Sequence, residues 1–274
     1  MTMRLVKRFS LVFWLSLLTS LSAQSPGTLN SRLMLHATVV PSEDGSVTVT
    51  ANSPRPLLQA LTAIRRHYGW IIDYEESRYP TTEIVTGPNR RLRLSRGSFM
   101  VRLAGPGSVG NTKDEATFLL SLINQSSRSI KRRFMLTATA SSRFTVVTAD
   151  NQKQLMLDTP IHLPRATRSI SETVDTILNL VTLARGTPII RGGFVDNGLL
   201  QQDVTVGGGE SVPARDLLAQ ALDRSSIAKV WLVTFSPSED AYYIGIQSAV
   251  REITTASGEV KIVPVRNQNP SSPK

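Results

Sequence analysis

The residues able to do chemistry are few and scattered. Three histidines, His36, His67 and His162, stand alone. No two are four residues apart and no His-Glu-x-x-His run occurs, so the helical spacing that aims two imidazoles at one zinc ion is missing. His67 sits beside Tyr68 in what reads as the last turn of a helix, where a cation favours the dipole. There is no cysteine, which removes thiol nucleophiles, thiolate metal sites, disulfides and a lipidated cysteine. Serine is abundant, but no Gly-x-Ser-x-Gly elbow is present. Gly105-Pro106-Gly107 and Gly207-Gly208-Gly209 each precede a helical pattern, the place where backbone N–H groups can hold an anion. Neither carries the lysine and hydroxyl of a phosphate loop or the full dinucleotide pattern, and the simpler reading of both is a strand-to-helix turn.

Arginine is the remaining candidate. Arg90, Arg91, Arg93 and Arg96 form the densest basic cluster, with Arg91 and Arg93 alternating against Leu92 and Leu94. Lys131, Arg132 and Arg133 form a second. One reading is a patch for an anionic envelope polymer or lipid; the other is a solvated sheet face that discourages edge pairing. The chain's formal net charge of +10 suits anionic partners. Nucleic acid is not the expected one: aromatic residues make up only 6% of the chain, which gives few surfaces for base stacking. Gly107-Ser108-Val109-Gly110 does spell the GxxG of a nucleic-acid-binding loop, but it follows a strand instead of joining two helices. No catalytic residue, metal site or cofactor is read from the sequence, and the expectation is a protein that is not an enzyme.

The ends bound the compartment. Arg4, Lys7 and Arg8 precede an apolar run from Phe9 to Leu21, and Ser22, Ala23 and Gln24 follow. That order reads as a secretory signal peptide, 1–23, with cleavage expected between Ala23 and Gln24 and the bond after Ser22 as the fallback; the other reading is an uncleaved signal anchor. The run is short for a membrane span, which needs about 20 residues. Residues 24–46 read as a leader, and the Asn-, Pro- and Ser-rich end beyond Val265 as a disordered tail. The expected location is periplasmic or secreted, with no membrane span left after cleavage.

The elements between these ends follow from periodicity. Val47, Val49 and Ala51 alternate with polar residues as a strand. Ser53 reads as an N-cap, and Leu57, Leu58, Leu61, Ile64 and Tyr68 fall on one helical face that Gly69 ends. Trp70 to Tyr74 is a strand; Glu75 to Pro88 is polar and turn-rich; Arg91 to Leu103 resumes as strand. Thr112 and Glu115 make a capping box for a helix carrying Ala116, Leu119, Leu120 and Ile123. Two strands, Arg133 to Ala140 and Arg143 to Ala149, close the unit. After a stretch in which Pro160 and Pro164 argue against regular structure, Ser169 or Ser171 caps a helix ending at Gly186, and strands Thr187 to Arg191 and Gln202 to Val206 follow. Ser211 caps the last helix, and Val230 to Phe235 and Ala241 to Gln247 form the final pair.

The chain thus says similar things twice. Ala116 to Val147 and Ala214 to Gly245 run in step 98 positions apart: Leu119 and Leu120 match Leu217 and Leu218, Phe134 matches Leu232, Phe144 matches Tyr242, and Val146 matches Ile244. The matched positions are apolar, so the repeat speaks of architecture. The expected fold is α+β: two tandem small domains, 47–149 and 169–250, each a mixed sheet covered by two helices in β-α-β-β-α-β-β order. A linker at 150–168 joins them, and 251–274 holds a C-terminal strand and the tail.

Pro54-Arg55-Pro56-Leu57-Leu58-Gln59-Ala60-Leu61 followed by Tyr68-Gly69-Trp70-Ile71-Ile72 resembles the secretin and TonB short N-terminal (STN) domain, and is similar to the related C-terminal module of FecR-like proteins. The second helices, Glu115-Ala116-Thr117-Phe118-Leu119-Leu120 and Ala214 to Leu222, are similar to that family's second helix. The residues between Glu75 and Arg90 depart from its compact pattern. The resemblance implies a non-catalytic periplasmic module that docks onto other envelope proteins. A protein–protein interaction or scaffolding role is therefore expected, with an envelope protein as partner and self-association through exposed sheet edges also open. The alternative is the anionic-polymer or lipid module carried by the arginines.

Overall fold

The computed structural model describes residues 37–103, 117, 119–121, 123, 133–138, 143–149, 155–192 and 199–267. The signal segment with Ala23 and Gln24, His36, the glycine run at 105–110, the capping box at Thr112 and Glu115, and Lys131 and Arg132 lie outside the described residues. The chain is a mixture of helix and strand, as an α+β protein requires.

The first half runs β1 (Thr38–Pro41), β2 (Val47–Ser53), α1 (Pro56–Tyr68), β3 (Ile71–Glu75), β4 (Ile84–Thr86), β5 (Leu92–Leu94) and β6 (Gly97–Leu103). Helical residues between 117 and 123 follow, then β7 (Phe134–Ala138) and β8 (Arg143–Thr148). The second half runs β9 (Pro160–Ile161), β10 (Ala166–Ser169), α2 (Ile170–Arg185), β11 (Ile189–Arg191), β12 (Asp203–Val206), β13 (Val212–Pro213), α3 (Ala214–Asp223), β14 (Lys229–Ser236), β15 (Ala241–Ser248), β16 (Val250–Thr254) and β17 (Val260–Pro264).

Helix ends follow local chemistry. α1 starts with Pro56 in its first turn, where the missing N–H costs nothing. Its Leu57, Ala60, Leu61 and Ile64 are buried. Gly69 stops it at φ 75° and donates its N–H to Arg65 O, a left-handed position that glycine takes without a Cβ penalty. Ser53 does not cap this helix. It ends β2, and its Oγ accepts the N–H of Arg55, the residue that stands at the N-cap. Ser169 does cap α2, in a reciprocal box with Glu172. Ser211 does not cap α3, whose N-cap is Pro213.

The strands of each half divide between a shared large sheet and smaller ones. The large sheet has six strands in the order β11-β15-β14-β3-β8-β7; the smaller ones are β1-β2-β6 and the two-stranded β4-β5, β10-β12, β9-β13 and β16-β17. Helices therefore lie between sheets instead of covering one. Val49, Ala51, Phe99, Val101 and Leu103 from β2 and β6 face α1, and Ile72, Tyr74, Phe134, Phe144 and Val146 of the large sheet join the same core. A second core gathers α2, α3, β12 and the Trp231, Val233, Phe235, Tyr242, Ile244 and Ile246 positions of β14 and β15.

The halves touch directly. β14 pairs in parallel with β3, Leu232 opposite Tyr74 and Val233 opposite Glu75. The proline-bearing stretch is structured as well: Leu157, Ile161 and Leu163 are buried in the second core, and Pro160–Ile161 pairs with Val212–Pro213. Where a single C-terminal strand was expected, β16 and β17 form a hairpin. The gapless 98-residue match also slips. Leu136 pairs with Val146 and Val233 with Ile244, so β7 and β14 correspond at 97 residues. A one-residue slip turns a strand over, and Leu232 duly faces the first core while its neighbours face the second.

Candidate interaction surface

The four singled-out arginines fall on one hairpin. β4 and β5 pair antiparallel, and the turn between them passes through Asn89 and Arg90 at positive φ. Arg90, Arg91, Arg93 and Arg96 are all exposed. Leu94 is buried but Leu92 is exposed, so one leucine anchors this strand, not two. Arg96 lies past the end of β5, and Arg93 runs its aliphatic stem across Gly87, where a Cβ would meet it at 2.7 Å. The hairpin is an exposed cationic tip.

The histidines are placed separately: His67 is half-buried in the last turn of α1 with its ring edge on Tyr68, and His162 is exposed just after β9. No cluster of three potential metal ligands occurs among the described residues. The second glycine run is a packed turn. Gly207, Gly208 and Gly209 all have positive φ, and the N–H of Gly208 bonds Leu163 O. The first N–H groups of α3 are also committed, Ala214 to Thr159 O and Arg215 to Leu157 O. An anion at this helix start would have to displace those carbonyls, so the anion reading of the run does not hold.

Sequence reading missed the densest polar site, on β3. All five residues of this strand are buried, as is Glu76 just after it, and the acids Asp73, Glu75 and Glu76 each reach into the second half. Asp73 accepts both bonds of Arg143 Nη1 at 2.9 and 2.8 Å and the N–H of Trp231 at 2.9 Å, while Arg143 Nη2 reaches Asp223 at 2.6 Å. Glu75 accepts the N–H of Leu157 at 2.9 Å and Arg215 Nη2 at 3.2 Å. Glu76 accepts the N–H of Phe235 at 2.6 Å, Arg55 Nε at 2.9 Å and the Tyr79 hydroxyl at 2.6 Å. Asp73 and Glu76 thus use carboxylates to extend the ladder past its two paired positions. Burial pushes the Asp73 carboxyl up against the pull of Arg143, and raises Glu75 to about 7 against the pull of Arg215. Arg143 loses by burial but gains more from Asp73 and Asp223, so its guanidinium stays charged. The signal for this seam is present in the sequence: Asp73 and Glu75 alternate with Ile72 and Tyr74, the pattern of a strand whose second face meets something polar and buried.

The two ends of the large sheet, β11 and β7, have one strand neighbour each among the described residues. No helix among those residues is long and apolar enough to cross a membrane. Comparison with protein-family models, with curated protein sequences and with solved structures finds no match to this chain.

Proposed function

We propose that this chain is an exported, non-enzymatic protein–protein interaction or scaffolding module of the cell envelope, built from two tandem STN-like units. The observation that carries the reading is the six-stranded sheet whose end strands, β11 and β7, have one strand neighbour each among the described residues, an arrangement suited to strand addition by a partner. The buried seam supports it further, because a sheet tied across both halves presents its two edges in fixed relation. The signal pattern around Ala23 supports export to the periplasm or beyond. A second reading, binding of anionic envelope polymer or lipid, draws on the exposed arginines of the β4–β5 hairpin.

Retention of native envelope components on the immobilised full chain separates the two. The interaction reading expects a defined protein that survives high salt, stays with a variant carrying alanine at Arg90, Arg91, Arg93 and Arg96, and is lost when an edge strand is blocked. Retention abolished by salt and by the four alanines, with edges irrelevant, would transfer the function to the cationic hairpin.

A further inference from the structure

We propose that copies of this chain join head to tail, the β7 edge of one pairing in parallel with the β11 edge of the next, as β14 pairs with β3 inside the chain. This rests on the interaction-module reading and names its partner: a second copy.

The argument is geometric. β3-β8-β7 and β11-β15-β14 share one pairing pattern, the first pair parallel and the second antiparallel. In each set the same strand positions meet, Ile72 opposite Phe144 and Ile189 opposite Tyr242. Because β14 is parallel to β3, corresponding strands of the two sets run in opposite directions. Their core residues also face opposite sides of the sheet. A half-turn about an axis lying across the strands, with a shift of three strands, therefore carries the second set onto the first. The same step applied once more lays a β11 strand beside β7, parallel to it. Such a contact is heterologous and does not close on itself, so it propagates.

The main-chain groups match this step. Ala149 donates to Arg133 O, so in the alternating ladder Phe134 and Leu136 turn their N–H and C=O groups away from β8. Tyr242 donates to Pro188 O and Gly192 to Ile244 O, so Ile189 and Arg191 turn theirs away from β15. The residues corresponding to Phe134 and Leu136 are Trp231 and Val233, and Val233 O accepts the N–H of Glu76 at the inner junction. The residue corresponding to Tyr74 is Arg191. Transferring the inner register puts Met135 of one copy opposite Arg191 of the next.

The chain has no cysteine, which makes the test clean. Strand neighbours lie about 4.8 Å apart, within reach of a disulfide. Full-length protein with Met135→Cys and Arg191→Cys together should give a ladder of disulfide-linked dimers, trimers and higher species on mild oxidation, and each single variant no ladder. In a second arm, Arg191→Pro blocks one edge and Leu136→Pro the other, each at a position whose N–H points outward. Folding of both is checked by circular dichroism. Each alone should sediment as a monomer, and an equimolar mixture should form a 1:1 dimer and stop. No ladder, together with wild-type protein that stays monomeric across a concentration series, would overturn head-to-tail joining. It would leave the broader reading intact if a different envelope protein were still captured through an edge; loss of that capture as well would end both.

Discussion

Replacing Arg143 by methionine tests whether the acids of β3 hold the halves together. The guanidinium is 0% exposed, as is the Asp73 carboxylate that it binds through two hydrogen bonds. Methionine fills similar volume but leaves the Asp73 carboxylate in a dry site with the Trp231 N–H as its remaining hydrogen bond and the buried Arg65 as a nearby positive charge. Breaking a buried pair from one side costs about 3–5 kcal/mol, a large share of a typical domain stability of about 5–15 kcal/mol. Asp73→Asn in the same background removes the stranded charge, while its amide oxygen still accepts from Trp231. The double variant should therefore be more stable than Arg143→Met alone, and the coupling should reach at least about 1 kcal/mol. Urea unfolding followed by circular dichroism gives all four corners of the cycle. There is also a sign to check. Burial already lifts the Asp73 carboxyl in the wild type, and losing Arg143 lifts it further. Arg143→Met should then gain stability as pH falls and Asp73 takes a proton. Strictly additive losses, or a single variant indifferent to pH, would refute the claim that this pair is a coupled part of the junction.

Glu75 carries a related expectation. Its carboxyl is raised to about 7 from 4.5, so the folded chain holds a proton that the unfolded chain has released, and stability is lost as pH rises across that window by about 3 kcal/mol; Glu75→Gln should flatten the urea midpoint between pH 4.5 and 7. Leu61→Asp places a carboxylate on the fully buried face of α1 and should abolish cooperative unfolding of the first half, read as loss of the sigmoidal melt. Gly207→Ala puts a Cβ 2.4 Å from Leu163 O at φ 95° and should lower stability by more than about 1 kcal/mol in the same urea assay. Ile190 on β11 stands where Asp73 stands on β3. Ile190→Asp would let the outer edge accept the N–H of Phe134 from the next copy, and sedimentation should show association tightened about tenfold, the equivalent of about 1.4 kcal/mol.

Periodicity made the helix faces and most strands legible. Leu57, Leu61 and Ile64, and Val174, Ile177, Leu178 and Val181, are buried where their spacing placed them. Gly69 and Gly186 end their helices because each supplies the left-handed residue that the last turn needs. Sheet membership was less legible. Alternation says which side chains turn inward, not which strand lies alongside, so β2 and β3 looked like members of one sheet although α1 sends them to different ones. The 98-residue match failed at β14 because the turn between β14 and β15 differs in length from that between β7 and β8, and a gapless comparison cannot see a turn. The arginine hairpin was found because charge clusters are local. The β3 acids were passed over because their partners, Arg143, Arg215 and Trp231, lie 70, 140 and 158 residues away.

The inner and outer edges differ in a way that fits their tasks. At the inner junction Asp73, Glu75 and Glu76 supply acceptors, and Arg143, Arg215 and Arg55 neutralise them. On β11 the places of Asp73, Tyr74 and Glu75 are taken by Ile190, Arg191 and Gly192, and on β15 the place of Arg143 is taken by Ala241. The outer edge therefore keeps the main-chain pattern without the ionic lock. A lock that dry is costly to assemble, since each charge must be desolvated before its partner arrives. Inside one chain the connection at 150–168 holds the halves at high effective concentration, which meets that cost. Between separate molecules no such tether exists, and a contact made of main-chain bonds and a half-exposed isoleucine can form and release. On the proposed head-to-tail joining, the same strand geometry would serve as a permanent seam within the chain and as a reversible joint between chains.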